Sequence, residues 1–82
     1  MQNCINYKWP IEQADNLAEL ESLVERMLAQ YELEYFRVLY PDLNWEELGE
    51  FLSEELDDDE QIDTVAYWLE LAQRKLNLLL IH

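Results

Sequence analysis

Apolar residues recur in this chain at three- and four-residue steps, the period of an α-helix and not the two-residue alternation of a strand. The first such run is Leu17, Leu20, Val24, Met27, Leu28, Tyr31, Tyr35, Val38 and Leu39. Plotted at about 100° per residue, these positions keep to one stripe roughly 120° wide, the mark of an amphipathic helix. Asn16 can cap it, and Glu19 three residues on completes a variant of the capping box. Pro41 cannot continue a helix, so the pattern predicts a single helix over 16–40.

A second helix, over 45–56, opens with clear punctuation. Asn44 caps, Glu47 reaches back, and Leu43 stands where it can staple onto Leu48. Trp45, Leu48, Leu52 and Leu56 form its stripe, with Phe51 at one edge. Gly49 in its interior costs about 1 kcal/mol relative to Ala. It is either tolerated there or marks the close approach of another backbone. The third helix, over 60–80, carries Ile62, Val65, Ala66, Leu69, Ala72, Leu76 and Leu80 on its stripe. Asp57, Asp58, Asp59 and Glu60 supply its cap and put anions at the positive end of its dipole.

Residues 1–14 read differently. Tyr7, Trp9 and Ile11 alternate with Lys8 and Pro10, and Pro10 disfavours helix at Trp9. That predicts an irregular, extended arm that lies back across the helices or under a partner, so as to cover Trp9. The fold class expected is therefore all-α: a small three-helix antiparallel bundle, two long helices and one short, with an irregular N-terminal arm, in a single domain spanning 1–82.

Both long helices carry apolar residues on a second side. Leu33, Phe36 and Tyr40 lie opposite the first stripe; Tyr67, Leu71 and Leu78 lie opposite the third, with Trp68 on one flank. A helix that is apolar on two sides is sandwiched within its own fold or covered by another chain. These seven residues form a candidate apolar interface, and they predict a homodimer or a partner groove.

Charge narrows the choice of partner. The chain of 82 residues carries a formal net charge of −14, and between Arg37 and Arg74 there is no Lys, Arg or His but twelve carboxylates. Such a chain repels bare nucleic acid and anionic membrane and attracts basic surfaces. Half of its residues are apolar, so it has material for a core and disorder is a poor reading. Glu46, Glu47, Glu50, Glu54, Glu55, Asp57, Asp58 and Asp59 form a candidate acidic face. The bland alternative is that this charge serves only solubility.

Candidate chemistry is sparse. Asp57–Asp63 superficially resembles a calcium loop, but the EF-hand needs Gly at its sixth position and Glu at its twelfth, where Ile62 and Trp68 stand. Cys4 is the only cysteine and His82 the only histidine, so no soft-metal spacing exists and no nucleophile has a base near it in sequence. A lone thiol suits a reducing compartment, and Cys4 is expected to be dispensable. One glycine cannot build a phosphate cradle. Neither a signal peptide nor a membrane span is visible, which predicts a cytoplasmic protein without membrane insertion. A non-catalytic protein without cofactor or metal is the expectation.

Two functional readings survive. In the first, the chain is a protein-binding, adaptor or assembly module that uses its apolar second faces and its acidic surface to hold a protein partner with a basic surface. In the second, the carboxylates imitate the phosphate array of a duplex and occupy the basic site of a DNA- or RNA-binding protein. Salt separates the two surfaces: binding through the acidic face fails at high ionic strength and binding through the apolar face does not.

Overall fold

The computed structural model describes residues 6–81, which form α-helices and one 3-10 segment and contain no strand. In chain order these are α1 (Lys8–Gln13), α2 (Leu17–Gln30), α3 (Phe36–Leu39), α4 (Trp45–Leu48), a 3-10 segment (Gly49–Glu54) that continues α4, and α5 (Asp59–Ile81). The fold is all-α, as its periodicity predicts. Cys4 and His82 lie outside the described residues.

The elements are gathered around α5, against which α1, α2, α4 and the 3-10 segment all pack. Val65, Trp68, Leu69 and Ala72 are its buried residues. Asp58 caps it, accepting from the Glu60 N–H at 2.8 Å, as the run of acids ahead of it predicts. On one side of α5 the Tyr7 ring meets Trp68 edge-on at 5.4 Å, and further along Lys75 Nζ donates to the Glu12 carbonyl at 2.9 Å. On another, Gln73 accepts from the Trp45 N–H at 3.1 Å.

The expected arm is corrected: Lys8–Gln13 is a helix. Pro10 occupies its third position, where a missing N–H leaves no intrahelical bond unmade, so first-turn proline is harmless. Helical spacing then buries Tyr7, Ile11 and Ala14 together and turns Trp9 outward, 68% exposed. An extended arm would have put Tyr7, Trp9 and Ile11 on one side.

The expected helix over 16–40 is corrected too, and with it the bundle of two long helices and one short. α2 begins as predicted, with Asn16 accepting from the Glu19 N–H at 2.9 Å, although Glu19 reaches back to the Asp15 amide rather than to Asn16. It ends at Gln30. Glu32 takes a left-handed backbone with φ 59°, its N–H bonds the Ala29 carbonyl at 3.0 Å, and the Leu33 N–H bonds the Leu28 carbonyl at 2.7 Å. That pair of bonds is the Schellman arrangement, made here without the glycine that usually serves it. The bend resets the helical phase. Leu33 and Phe36 turn into the core, at 1% and 0% exposure, while Val38 and Leu39 of the predicted stripe are left outside.

Of the expected 45–56 helix only Trp45–Leu48 is α-helical, and a 3-10 segment carries it on to Glu54. The capping box is complete: Glu47 N–H bonds the Asn44 side chain at 2.8 Å and Asn44 N–H bonds the Glu47 carboxylate at 2.9 Å. Gly49 lies where α4 passes α5. A Cβ there would stand 3.6 Å from the Ala66 Cα and Cβ, which is ordinary contact. The close approach is real, yet a methyl group would fit.

Candidate protein-binding surface

The seven residues of the candidate apolar interface do not form one surface. Leu33, Phe36 and Trp68 are core, so they offer nothing to a second chain. Tyr40 and Leu71 are half-buried against that core. Tyr40 is stacked on Phe51 at 4.7 Å and meets Phe36 edge-on at 5.3 Å. Only Tyr67 and Leu78 remain outside, at 45% and 56% exposure. The second apolar stripe of the first helical run is thus covered from within the chain, by the bend at Glu32.

The residues of the candidate acidic face, Glu46, Glu47, Glu50, Glu54, Glu55, Asp57, Asp58 and Asp59, are all exposed. Its members do different work. Glu47 and Asp58 cap helices. Glu55 accepts a hydrogen bond from the Tyr35 hydroxyl and Glu54 one from the Tyr40 hydroxyl, tying the bent segment to the 3-10 segment. The hydrogen bond to Glu55 raises the Tyr35 pKa, helped by partial burial and by the charges of Glu55, Glu34 and Glu32. Burial raises that of Tyr40, helped by the charge and hydrogen bond of Glu54 and by the charge of Glu55. Among the described residues the only ion pair is Arg74 with Glu70 at 3.6 Å, one turn apart on α5. No described side chain forms an ion pair with the acidic face.

Nothing polar or charged is buried among the described residues, so none of these carboxylates sits in the desolvated setting that acid–base chemistry uses. Nor do described His, Cys, Asp and Glu residues gather in a group that could hold a metal. No helix among them is long and apolar enough to cross a membrane.

The fold also assembles a groove from residues that the sequence reading kept apart. Asp63, Tyr67 and Glu70 recur at helical spacing on one side of α5, while Glu46 and Glu50 stand one turn apart on α4 and its continuation. Where the two elements pass, Gly49 and Ala66 leave a shallow opening of about 310 Å³, lined by these five residues. The i, i+4, i+7 spacing of Asp63, Tyr67 and Glu70 was legible in the sequence. Their pairing with Glu46 and Glu50 was not, because it depends on which side of α5 receives α4.

The chain matches no protein-family model, no curated protein and no solved structure.

Proposed function

We infer that this protein is a non-catalytic binding module whose acidic face holds a basic surface of a protein partner. The observation that supports the reading is the exposure of all eight carboxylates of that face, with no lysine, arginine or histidine between Arg37 and Arg74 to neutralise them. The acidic face carries the reading by itself, because Leu33, Phe36 and Trp68 are core residues. Occupation of a nucleic-acid-binding site is the narrower form of the same idea, in which the partner's basic surface is the one that otherwise holds phosphates. A second copy carries the same charge of −14 and is disfavoured as an occupant of this face.

The test is affinity capture from a lysate of the source organism with the full chain, at about 50 and 300 mM salt, concentrations that bracket the Debye length of about 8 Å at physiological strength. A variant with Glu46, Glu50, Glu54 and Glu55 changed to Gln serves as control. A specific basic partner should be held at low salt, released at high salt and missed by the variant. Displacement of that partner's nucleic acid would support the narrower form. Capture indifferent to both salt and the four substitutions would overturn the reading.

A further inference from the structure

The groove between α4 and α5 differs from the rest of the acidic surface, because Gly49, Ala66 and Tyr67 line it together with its carboxylates. Gly49 and Ala66 are small, and nothing bulkier fills the crossing above them. Tyr67 forms one wall with almost half of its surface open. Glu46 and Glu50 stand on the α4 side and Asp63 and Glu70 on the α5 side. One guanidinium of the chain already meets a carboxylate of this groove, with Arg74 3.6 Å from Glu70.

A group that suits such a place must have an apolar stem, a cationic head and a face that can stack. Although only arginine's fork can bond a carboxylate bidentately, carboxylates alone would accept lysine as well as arginine. An aromatic wall beside them does not, because a planar guanidinium lies over an aromatic face and still presents its N–H fork to carboxylates, whereas ammonium is a compact, strongly hydrated charge. Charge complementarity therefore fixes the sign of the occupant and Tyr67 its shape. We propose that this groove receives an arginine side chain from a basic segment of the protein partner, with its aliphatic stem across Gly49 and Ala66 and its guanidinium against Tyr67. Glu46, Glu50 and Asp63 then accept from that guanidinium. The proposal rests on the acidic-face reading and adds to it an anchor point and a preference for arginine over lysine.

The probes are dye-labelled octa-arginine and octa-lysine peptides, bound to the full chain and followed by fluorescence anisotropy at low salt. Wild type should bind octa-arginine more tightly than octa-lysine. Tyr67→Ala should weaken octa-arginine about two- to five-fold, the range expected of a solvent-exposed cation–π contact, and leave octa-lysine unchanged. Tyr67→Phe should keep the preference, and far-UV circular dichroism checks that both variants fold. If Tyr67→Ala lowers neither affinity, or lowers both equally, the groove is not the anchor and the inference is overturned while the acidic-face reading stands. If neither peptide binds wild type even at low salt, both are overturned.

Discussion

Residues 17–40 and α5 begin from the same problem and solve it in opposite ways. Each is a long helical run with apolar residues on two sides. α5 stays unbroken over 23 residues because other elements come to it. Trp68, on its flank, is covered by the edge of Tyr7 and by Tyr31 at 6.4 Å. The 17–40 run instead bends at Glu32, so that Leu33 and Phe36 of its second stripe join the core. The energies favour the bend. Burying Leu33 and Phe36 contributes about 1.5–3 kcal/mol each, against roughly 1–2 kcal/mol for one left-handed residue at Glu32. Surplus apolar surface in a small chain thus need not signal a partner. It can be the reason for a turn.

The contrast can be broken first by truncation at the two second sides. Phe36→Ala should cost about 3–5 kcal/mol in denaturant unfolding, the penalty of removing a fully buried aromatic. Tyr67→Ala, on the side of α5 that stays in water, should fall within about 0.5 kcal/mol of wild type. Similar losses at both sites would mean that the bend does not place Phe36 where the core needs it.

Smaller effects sharpen the picture. Asn44→Ala removes the capping box that restarts the chain after the bent segment, and should cost about 1 kcal/mol. Glu32→Gly relieves the left-handed backbone and should stabilise by about 0.5–1 kcal/mol, the left-handed penalty less the entropy of glycine. Loss of stability in Glu32→Gly would show that the turn is not strained at that residue.

The smallest effect is alkaline. The pKa values of Tyr35 and Tyr40 are raised in the folded protein. The folded state therefore holds these protons longer than the unfolded chain does. Their contribution is fully present below the unfolded tyrosine value of about 10 and is lost as pH rises from there through the folded values. Melting temperature should fall over that window, and the fall should shrink when both tyrosines are changed to Phe. An identical alkaline profile in the double variant would separate these hydroxyls from the stability of the bent segment.

Much of this architecture was legible in the sequence, and the exceptions have physical causes. The caps at Asn16, Asn44 and Asp58 rest on short-range hydrogen bonding, which the local sequence largely decides. The bend at Glu32 leaves no such mark, since neither Gly nor Pro occurs from Gln30 to Tyr35. Its only trace is that Leu33 and Phe36 fall out of phase with Leu28, a trace equally consistent with a docking face on a straight helix. Pro10 misleads for the reverse reason. It breaks helices in their interior and is tolerated in their first turn, and only the burial of Tyr7, Ile11 and Ala14 on one side shows which applies. The acidic face needed no tertiary knowledge, because carboxylates uncovered by cations stay in water. The groove at Tyr67 needed all of it.

The bond from Lys75 to the Glu12 carbonyl joins positions 63 residues apart. Together with the Tyr7–Trp68 ring contact, it makes the packing of α1 on α5 a contact of very long sequence separation. Closing so long a loop carries an entropy cost that local contacts do not repay in advance. During synthesis α1 leaves the ribosome before α5, which follows every other described element. The core around Trp68 therefore stays open until α5 has emerged. Until α5 emerges, α1 has only α2 to lie on, and the core that the three helices share waits for the last of them.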